Sequence, residues 1–455
     1  PSTATLAGLV RSAAHEHPAL AATVVDLEAD FAPGTLADLL LGAGEEEWLA
    51  LRGGAVHAAR LAALPAPAPK PLALRGDAAY VVTGGFGGLG NVVADWLASR
   101  GAGRVVRIGR GAGPDGIAAD VADRGELERA LSRLEQPIAG VFHAAGVVDD
   151  GLLAQLTPGR LEAVLRPKVA GAWNLHVLTR ERDLDWFVLF SSISSWLGSP
   201  GQANYTAANA FLGALASARR AEGLPGLSVE WGPWADVGMT ARREGREARL
   251  ASRGMEPWSP ARALEALEAA LAIDRPQVGL ARWNVRRWRE FFPEAAHSPL
   301  LAQLVGSPAA EVETGRWRAD LEALDPSARP AALEGRLVEL VAAALWLPPG
   351  RIARAAPLGD LGLDSLVGLE IKNRLEASLG LALPPTLVFR HPTIAALAGH
   401  LLGELGLAGA AATPAPVEDA VHDRVVREVG AMSDAEAEAM LLAELRGLGE
   451  DGGGT

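Results

Sequence analysis

The chain has 455 residues, 49% hydrophobic and 21% charged, with 42 lysines and arginines against 55 acids for a net charge of −13. That length accommodates about three domains, and the acidic balance argues against a general binder of nucleic acid or anionic membrane. The absence of cysteine excludes disulfides, thiolate zinc sites and a cysteine nucleophile. No basic-then-apolar leader and no uninterrupted apolar run of bilayer length is seen, so a cytoplasmic location is the default expectation. The first residues read as mid-domain sequence, as if the chain were a piece of something larger.

In chain order, residues 1–63 mix short apolar runs such as "AATVVDLEA" with turns and read as a small α/β unit. Residues 64–73, "LPAPAPKPLA", form a stiff Pro/Ala linker. Residues 74–300 alternate β-like runs ("AAYVVTG", "GRVVRIGR", "IAGVFHAAG", "DWFVLFSS", "LSVEWGPW") with helical patterns, which predicts βαβ units and a parallel sheet. A second linker is expected over 301–331, and residues 332–404 are helical in pattern throughout, led by the amphipathic "LEGRLVELVAAALW". A third linker, 405–420, leads to a tail over 421–455. There Ser433 and Glu436 form a capping box ahead of Met440, Leu441, Leu445 and Leu448.

In "YVVTGGFGGLGNVVADWLASRG" a strand, a glycine turn and a helix follow one another, and Gly85, Gly87 and Gly90 satisfy G-x-G-x-x-G. Glycines there let the backbone approach a pyrophosphate seated at the helix N-terminus. After the second strand, Arg110 stands where a cofactor lacking a 2′-phosphate usually meets an acid, which favours NADPH over NADH. Asp120 and Val121 either meet the adenine or cap the next helix; the spacing leaves both open. Further on, Ser192 precedes Tyr205 by 13 residues and Asn209 follows it by four. A Ser/Tyr pair at this distance suits gripping and protonating a carbonyl oxygen. A phenol has a pKa of about 10, however, and needs a nearby cation to work near neutrality.

These residues, with "HAAG", "VLRPKVAGAWNLH" and "VEWGPWADVGM", resemble the ketoreductase domain of modular type I polyketide synthases, an offshoot of the short-chain dehydrogenase/reductases, over about residues 8–300. The resemblance implies a Rossmann-like parallel sheet. It also implies that the usual lysine and asparagine exchange places, so that Lys168 supplies the cation beside Tyr205 and Asn209 stands in the lysine's position. Ser192 then donates to the ketone oxygen and Tyr205 protonates it. The implied cofactor contacts are Thr83, Gly85, Phe86, Gly87, Gly88, Leu89, Gly90, Arg110, Asp120, Val121, Ala144, Ala145 and Gly146. Ketoreductases giving the D-hydroxyl (B-type) carry Leu-Asp-Asp after the HAAG segment, and a proline and an asparagine five and one residues before the tyrosine. Here the matching residues are Val148-Asp149-Asp150, Pro200 and Asn204, so Asp150, Pro200 and Asn204 are the expected stereocontrol residues. The A-type hallmark tryptophan would fall on Leu197, with Trp196 one position early. Two departures stand out. The segment between "GRGAG" and "AADVADR" is shorter than in the family by a helix and most of a strand, and residues 1–63 match only the later part of the structural subdomain.

"LGDLGLDSLVGLEIKNRLEASLGLALPPTLVFRHPTIAALAGHL" resembles an acyl carrier protein, a small all-α four-helix domain over 332–404, with Ser365 as the site for 4′-phosphopantetheine and Asp364 as a plausible N-cap. A tethered arm raises the effective concentration of its thioester to the millimolar range. The resemblance implies NADPH-dependent reduction of a β-ketoacyl thioester. The implied partners are a phosphopantetheinyl transferase, upstream ketosynthase and acyltransferase domains, and a downstream synthase polypeptide docked through the C-terminal helix. No nucleic-acid, membrane or metal partner is expected. A carrier fragment with a silent reductase and a free-standing short-chain reductase are the alternatives.

Overall fold

The computed structural model describes residues 1–407, except 18–21, 43, 45, 66–71, 112–115, 238–253, 286, 289–297, 306–314, 346, 362, 364 and 385. The segment Ser433–Leu448 and Asp364 therefore lie outside the described residues.

The N-terminal unit runs α1 (Ala4–Glu16), β1 (Val24–Leu27), α2 (Pro33–Gly42), β2 (Trp48–Arg52) and β3 (Ala55–Ala58). β1 and β2 pair in parallel and β2 and β3 antiparallel, giving a three-stranded sheet.

The central region contains β4 (Ala79–Thr83), α3 (Gly88–Ser99), β5 (Arg104–Gly109), β6 (Gly116–Ala118), α4 (Arg124–Leu131), β7 (Ile138–His143), α5 (Pro158–Leu165), α6 (Gly171–Thr179) and β8 (Trp186–Ser192). It continues through α7 (Ser194–Leu197), α8 (Ala203–Ala221), β9 (Leu227–Trp231), β10 (Met255–Glu256), α9 (Pro260–Leu271), β11 (Gln277–Leu280) and β12 (Arg282–Trp283). Seven strands form one parallel sheet in the order β11-β9-β8-β7-β4-β5-β6. Every residue of β4, β7 and β9 is buried, as expected of central strands covered by helices on both faces. The chain runs from β4 outward to β6 and then returns to the other side of β4 as β7. This reversal opens a crevice at the carboxyl ends of β4 and β7, where ligands bind in doubly wound sheets.

β6 was not expected. It pairs in parallel with β5, Arg107 opposite Gly116, with only residues 110–115 between them. Parallel neighbours normally need a crossover of a dozen or more residues, usually a helix. Part of the cover such a helix would supply comes from Phe86. A side chain at Gly109 would begin 2.9 Å from its ring and one at Gly116 2.1 Å from it, so the ring packs against two glycines.

The carrier region contains α10 (Arg316–Glu322), α11 (Arg329–Leu345), α12 (Ser365–Leu379), α13 (Leu387–Arg390) and α14 (Ile394–Glu404). Its core joins Leu337 and Val341 of α11, Ile371 and Leu375 of α12, Leu387, Leu397 and Leu401. α10 falls inside the span read as linker over 301–331, yet its Leu321 is fully buried in this core and Trp317 packs against it.

Candidate active site

Glycines at the crevice act by leaving space. Gly84 has φ +68, and a Cβ on it would lie 2.7 Å from Ala145 N; one on Gly90 would lie 2.1 Å from Gly84 O. The turn therefore folds tightly against the Ala144-Ala145 segment, and α3 begins at Gly88 with Gly87 as an extended N-cap lacking a side-chain cap bond. Its first N–H groups are thus left for a ligand, the cradle a pyrophosphate needs. Leu89 faces the core. Thr83 is buried, with Oγ1 2.7 Å from His143 Nδ1. Arg110 is exposed at the end of β5. Asp120 is not the helix cap: the N-cap of α4 is Asp123, accepting from Glu126 N–H at 2.9 Å. Asp120 Oδ1 accepts from Ala122 N–H at 2.9 Å, and Oδ2 lies 3.2 Å from the Arg166 guanidinium. Val121 is buried, its carbonyl accepting from Asn174 Nδ2 at 3.0 Å.

Lys168 sits in a single π-turn, Arg166–Ala170, between α5 and α6. Pro167 has no N–H to give an α-helix, and the wider turn absorbs it: Gly171 N–H reaches back to Arg166 O. The turn aims the lysine stem inward past Gly146, where any side chain would begin 2.9 Å from Lys168 Cε. Gly146, expected to contact cofactor, thus also makes room for the lysine. The ammonium is buried, donates to Phe190 O at 2.8 Å and stands 5.7 Å from the centre of the Tyr205 ring. Burial lowers its pKa from 10.5 to about 8, opposed by the charge of Glu230.

Tyr205 is half-buried on the first turn of α8, and Ser192 ends β8 with its Oγ 3.0 Å from the Ser194 hydroxyl. Asn209, one turn beyond Tyr205, is fully buried; Nδ2 donates to Tyr205 O at 2.8 Å while Oδ1 has no hydrogen-bond partner among the described residues. A buried amide oxygen of this kind suits an ordered water. The other tyrosine, Tyr80, has a purely structural place: its ring covers Gly140 and its hydroxyl accepts from Arg75 N–H at 2.6 Å.

The stereocontrol candidates converge. Gln202 Nε2 donates to Asp150 Oδ1 at 2.8 Å, Asn204 Nδ2 to Asp149 O at 2.9 Å, and Gly151 N–H to Gly201 O at 2.8 Å. Arg160 pairs with Asp149 at 2.7 Å. Pro200 adjoins Gly201 in this segment. Trp196 turns the other way: Nε1 donates to Gln277 at 3.3 Å and the ring lies over Gly279 of β11.

Two buried ionisable groups lie beside this site without having been picked out from the sequence. His143 is completely buried, and burial, then the charge of Lys168, drives its pKa to about 3, so it is neutral. Glu230, opposite Ser191 across β8 and β9, accepts from Ser195 Oγ at 2.9 Å and Ser228 Oγ at 2.7 Å. Burial raises it to about 7 against those serine bonds. A carboxylate inside the apolar run "LSVEW" was the available signal.

Three families match in sequence: the KR domain over residues 78–236, the phosphopantetheine attachment site over 335–401, and the Rossmann fold domain of polyketide synthase extender module SpnB over 1–61. A solved structure of A-type ketoreductases from a modular polyketide synthase is 38% identical with a TM-score of 0.61, over 66% of this chain and 68% of that one. The chain belongs to the modular polyketide synthase family. The ketoreductase from the first module of phoslactomycin biosynthesis in a Streptomyces species is 36% identical, TM-score 0.61, over 67% of this chain and 76% of that one. A phenolphthiocerol/phthiocerol polyketide synthase of Mycobacterium tuberculosis is 38% identical over 85% of this chain, and a spectinabilin polyketide synthase system protein of Streptomyces orinoci 41% identical over 87%. The chain spans 18% and 12% of those two relatives.

This polyketide synthase segment is therefore an oxidoreductase joined to a carrier domain. Its cofactors are NADPH and 4′-phosphopantetheine. Ser365 opens α12, within the span 335–401 that matches the phosphopantetheine attachment site. No helix among the described residues is long and apolar enough to cross a membrane.

Proposed function

We propose that this polyketide synthase segment reduces the β-ketone of an acyl chain tethered through phosphopantetheine at Ser365, leaving a D-β-hydroxyacyl thioester on the same arm. When bound, NADPH supplies the hydride. Ser192 orients the ketone oxygen, and Tyr205 delivers the proton to it. Lys168 holds a positive charge against the phenol, and Asn209 positions a water that replenishes the proton. The observation that carries this reading is Lys168: a buried ammonium within 5.7 Å of the tyrosine ring. A positive charge this close favours the phenolate that proton delivery leaves behind.

The D-hydroxyl is supported by the meeting of Asp150, Gln202 and Asn204 and by Trp196 facing β11. A second reading, the opposite hand, is favoured by the likeness to the A-type structure. Chiral analysis of the alcohol made from a β-ketoacyl thioester separates the two, and a predominantly L product overturns the first. The same preparation tests the pairing of the two domains. A phosphopantetheinyl transferase is expected to add about 340 Da at Ser365, and Ser365→Ala to abolish the gain. Tyr205→Phe is expected to lower NADPH oxidation by about 10²–10⁴-fold; full activity in that variant would sink the assignment. Upstream ketosynthase and acyltransferase partners, a downstream polypeptide and a cytoplasmic setting complete the reading.

A further inference from the structure

The end of α1 meets the catalytic region through four polar side chains. Arg11 donates to Ser195 O, Ser12 Oγ accepts from Ser199 N–H at 3.1 Å, and His15 Nε2 lies 2.6 Å from Leu197 O. Within the catalytic region the bonds of these three fall on the segment 195–199. The fourth, Glu16, is different. Its Oε1 accepts from Gly201 N–H at 2.9 Å and its Oε2 from Leu153 N–H at 2.6 Å. One carboxylate, 3% exposed, therefore bridges the loop after Asp149-Asp150 and the loop holding Pro200. α1 itself is seated firmly: Gly8 lies so close to α8 that a side chain on it would begin 2.6 Å from Thr206 O.

We infer that Glu16, on α1 and outside the reductase motifs, is a positioning residue for stereocontrol, clamping together the two loops between which the acyl chain is oriented. The inference rests on the proposed reduction. Ser192 and Tyr205 fix the ketone oxygen, so the hand of the alcohol depends on which side the rest of the chain takes. The walls on those sides are the 149–153 and 200–204 segments. Without Glu16 they keep the side-chain bonds from Gln202 and Asn204 and the Gly151–Gly201 backbone bond. The two bonds to a buried carboxylate are the stronger members of the set. Losing them lets the walls separate and lowers the energy difference between the two approaches.

The test uses the full chain. Glu16→Gln keeps an acceptor oxygen but no charge; Ser12→Ala loosens the same helix without touching Leu153. With one β-ketoacyl thioester, Glu16→Gln is expected to raise the minor enantiomer's share about threefold, a modest loss of discrimination for two weakened bonds. The KM for the thioester should rise while that for NADPH stays constant. Ser12→Ala should leave the ratio unchanged. An unchanged ratio in Glu16→Gln, alongside a lowered melting temperature, overturns the inference. Should the parent chain make no alcohol, the proposed function fails, and amide exchange still decides Glu16. Faster exchange in both 149–153 and 199–204 of Glu16→Gln supports the clamp, and unchanged exchange in either overturns it.

Discussion

Replacing Lys168 by methionine should make this protein more stable and nearly inactive. Burial holds the ammonium's pKa at about 8 against 10.5 in a free chain. At 1.36 kcal/mol per tenfold change in proton affinity, keeping it charged costs the native state roughly 3 kcal/mol at pH 7. The lowered value fixes the sign. Between about pH 8 and 10.5 the unfolded chain binds more protons than the folded one, so this contribution to stability rises with pH through that window. Below pH 8 both states hold the proton and the full penalty stands. Methionine fills a similar volume without charge and forfeits the charge-assisted bond to Phe190 O, worth about 1.5–3 kcal/mol. Lys168→Met is thus expected to gain about 1 kcal/mol at pH 7, with its advantage over the parent shrinking toward pH 10. Urea unfolding at fixed pH, followed by tryptophan fluorescence, reads residues 1–300, which carry ten of the twelve tryptophans. NADPH oxidation should fall about 10²–10⁴-fold in the same variant. A variant that is less stable at pH 7, or whose difference from the parent is flat between pH 8 and 10, would refute the buried-cation argument.

Glu230 raises the proton affinity of Lys168, so Glu230→Gln should lower it further. The alkaline limb of the pH–rate profile should then move to lower pH, and a limb that stays in place removes Glu230 from the network. Gly116→Ala must displace the Phe86 ring from over β5 and β6. The KM for NADPH should rise about threefold to tenfold with kcat little changed; an unaltered KM would mean the ring does not shape the adenosine side.

The alternating apolar runs and the glycine turn placed β4, β5, β7, β8 and β9 and the start of α3 from sequence alone, because local patterning and burial agree there. β6 and β11 escaped: "GIA" is three residues long and "QVGL" carries a glycine, so neither shows a strand's periodicity. α10 escaped because its single buried apolar anchor, Leu321, draws its stability from the carrier core.

The sequence by itself determined which chemical groups are present and how they are ordered. Ser192, Tyr205 and Asn209 share a short stretch of chain whose strand–turn–helix geometry already brings them close. Only the tertiary structure decided the company they keep. Lys168 arrives from 37 residues upstream through a π-turn, Glu230 from the neighbouring strand, and Glu16 from a separate unit. Their charges act because folding removes water from around them, and no local pattern records that.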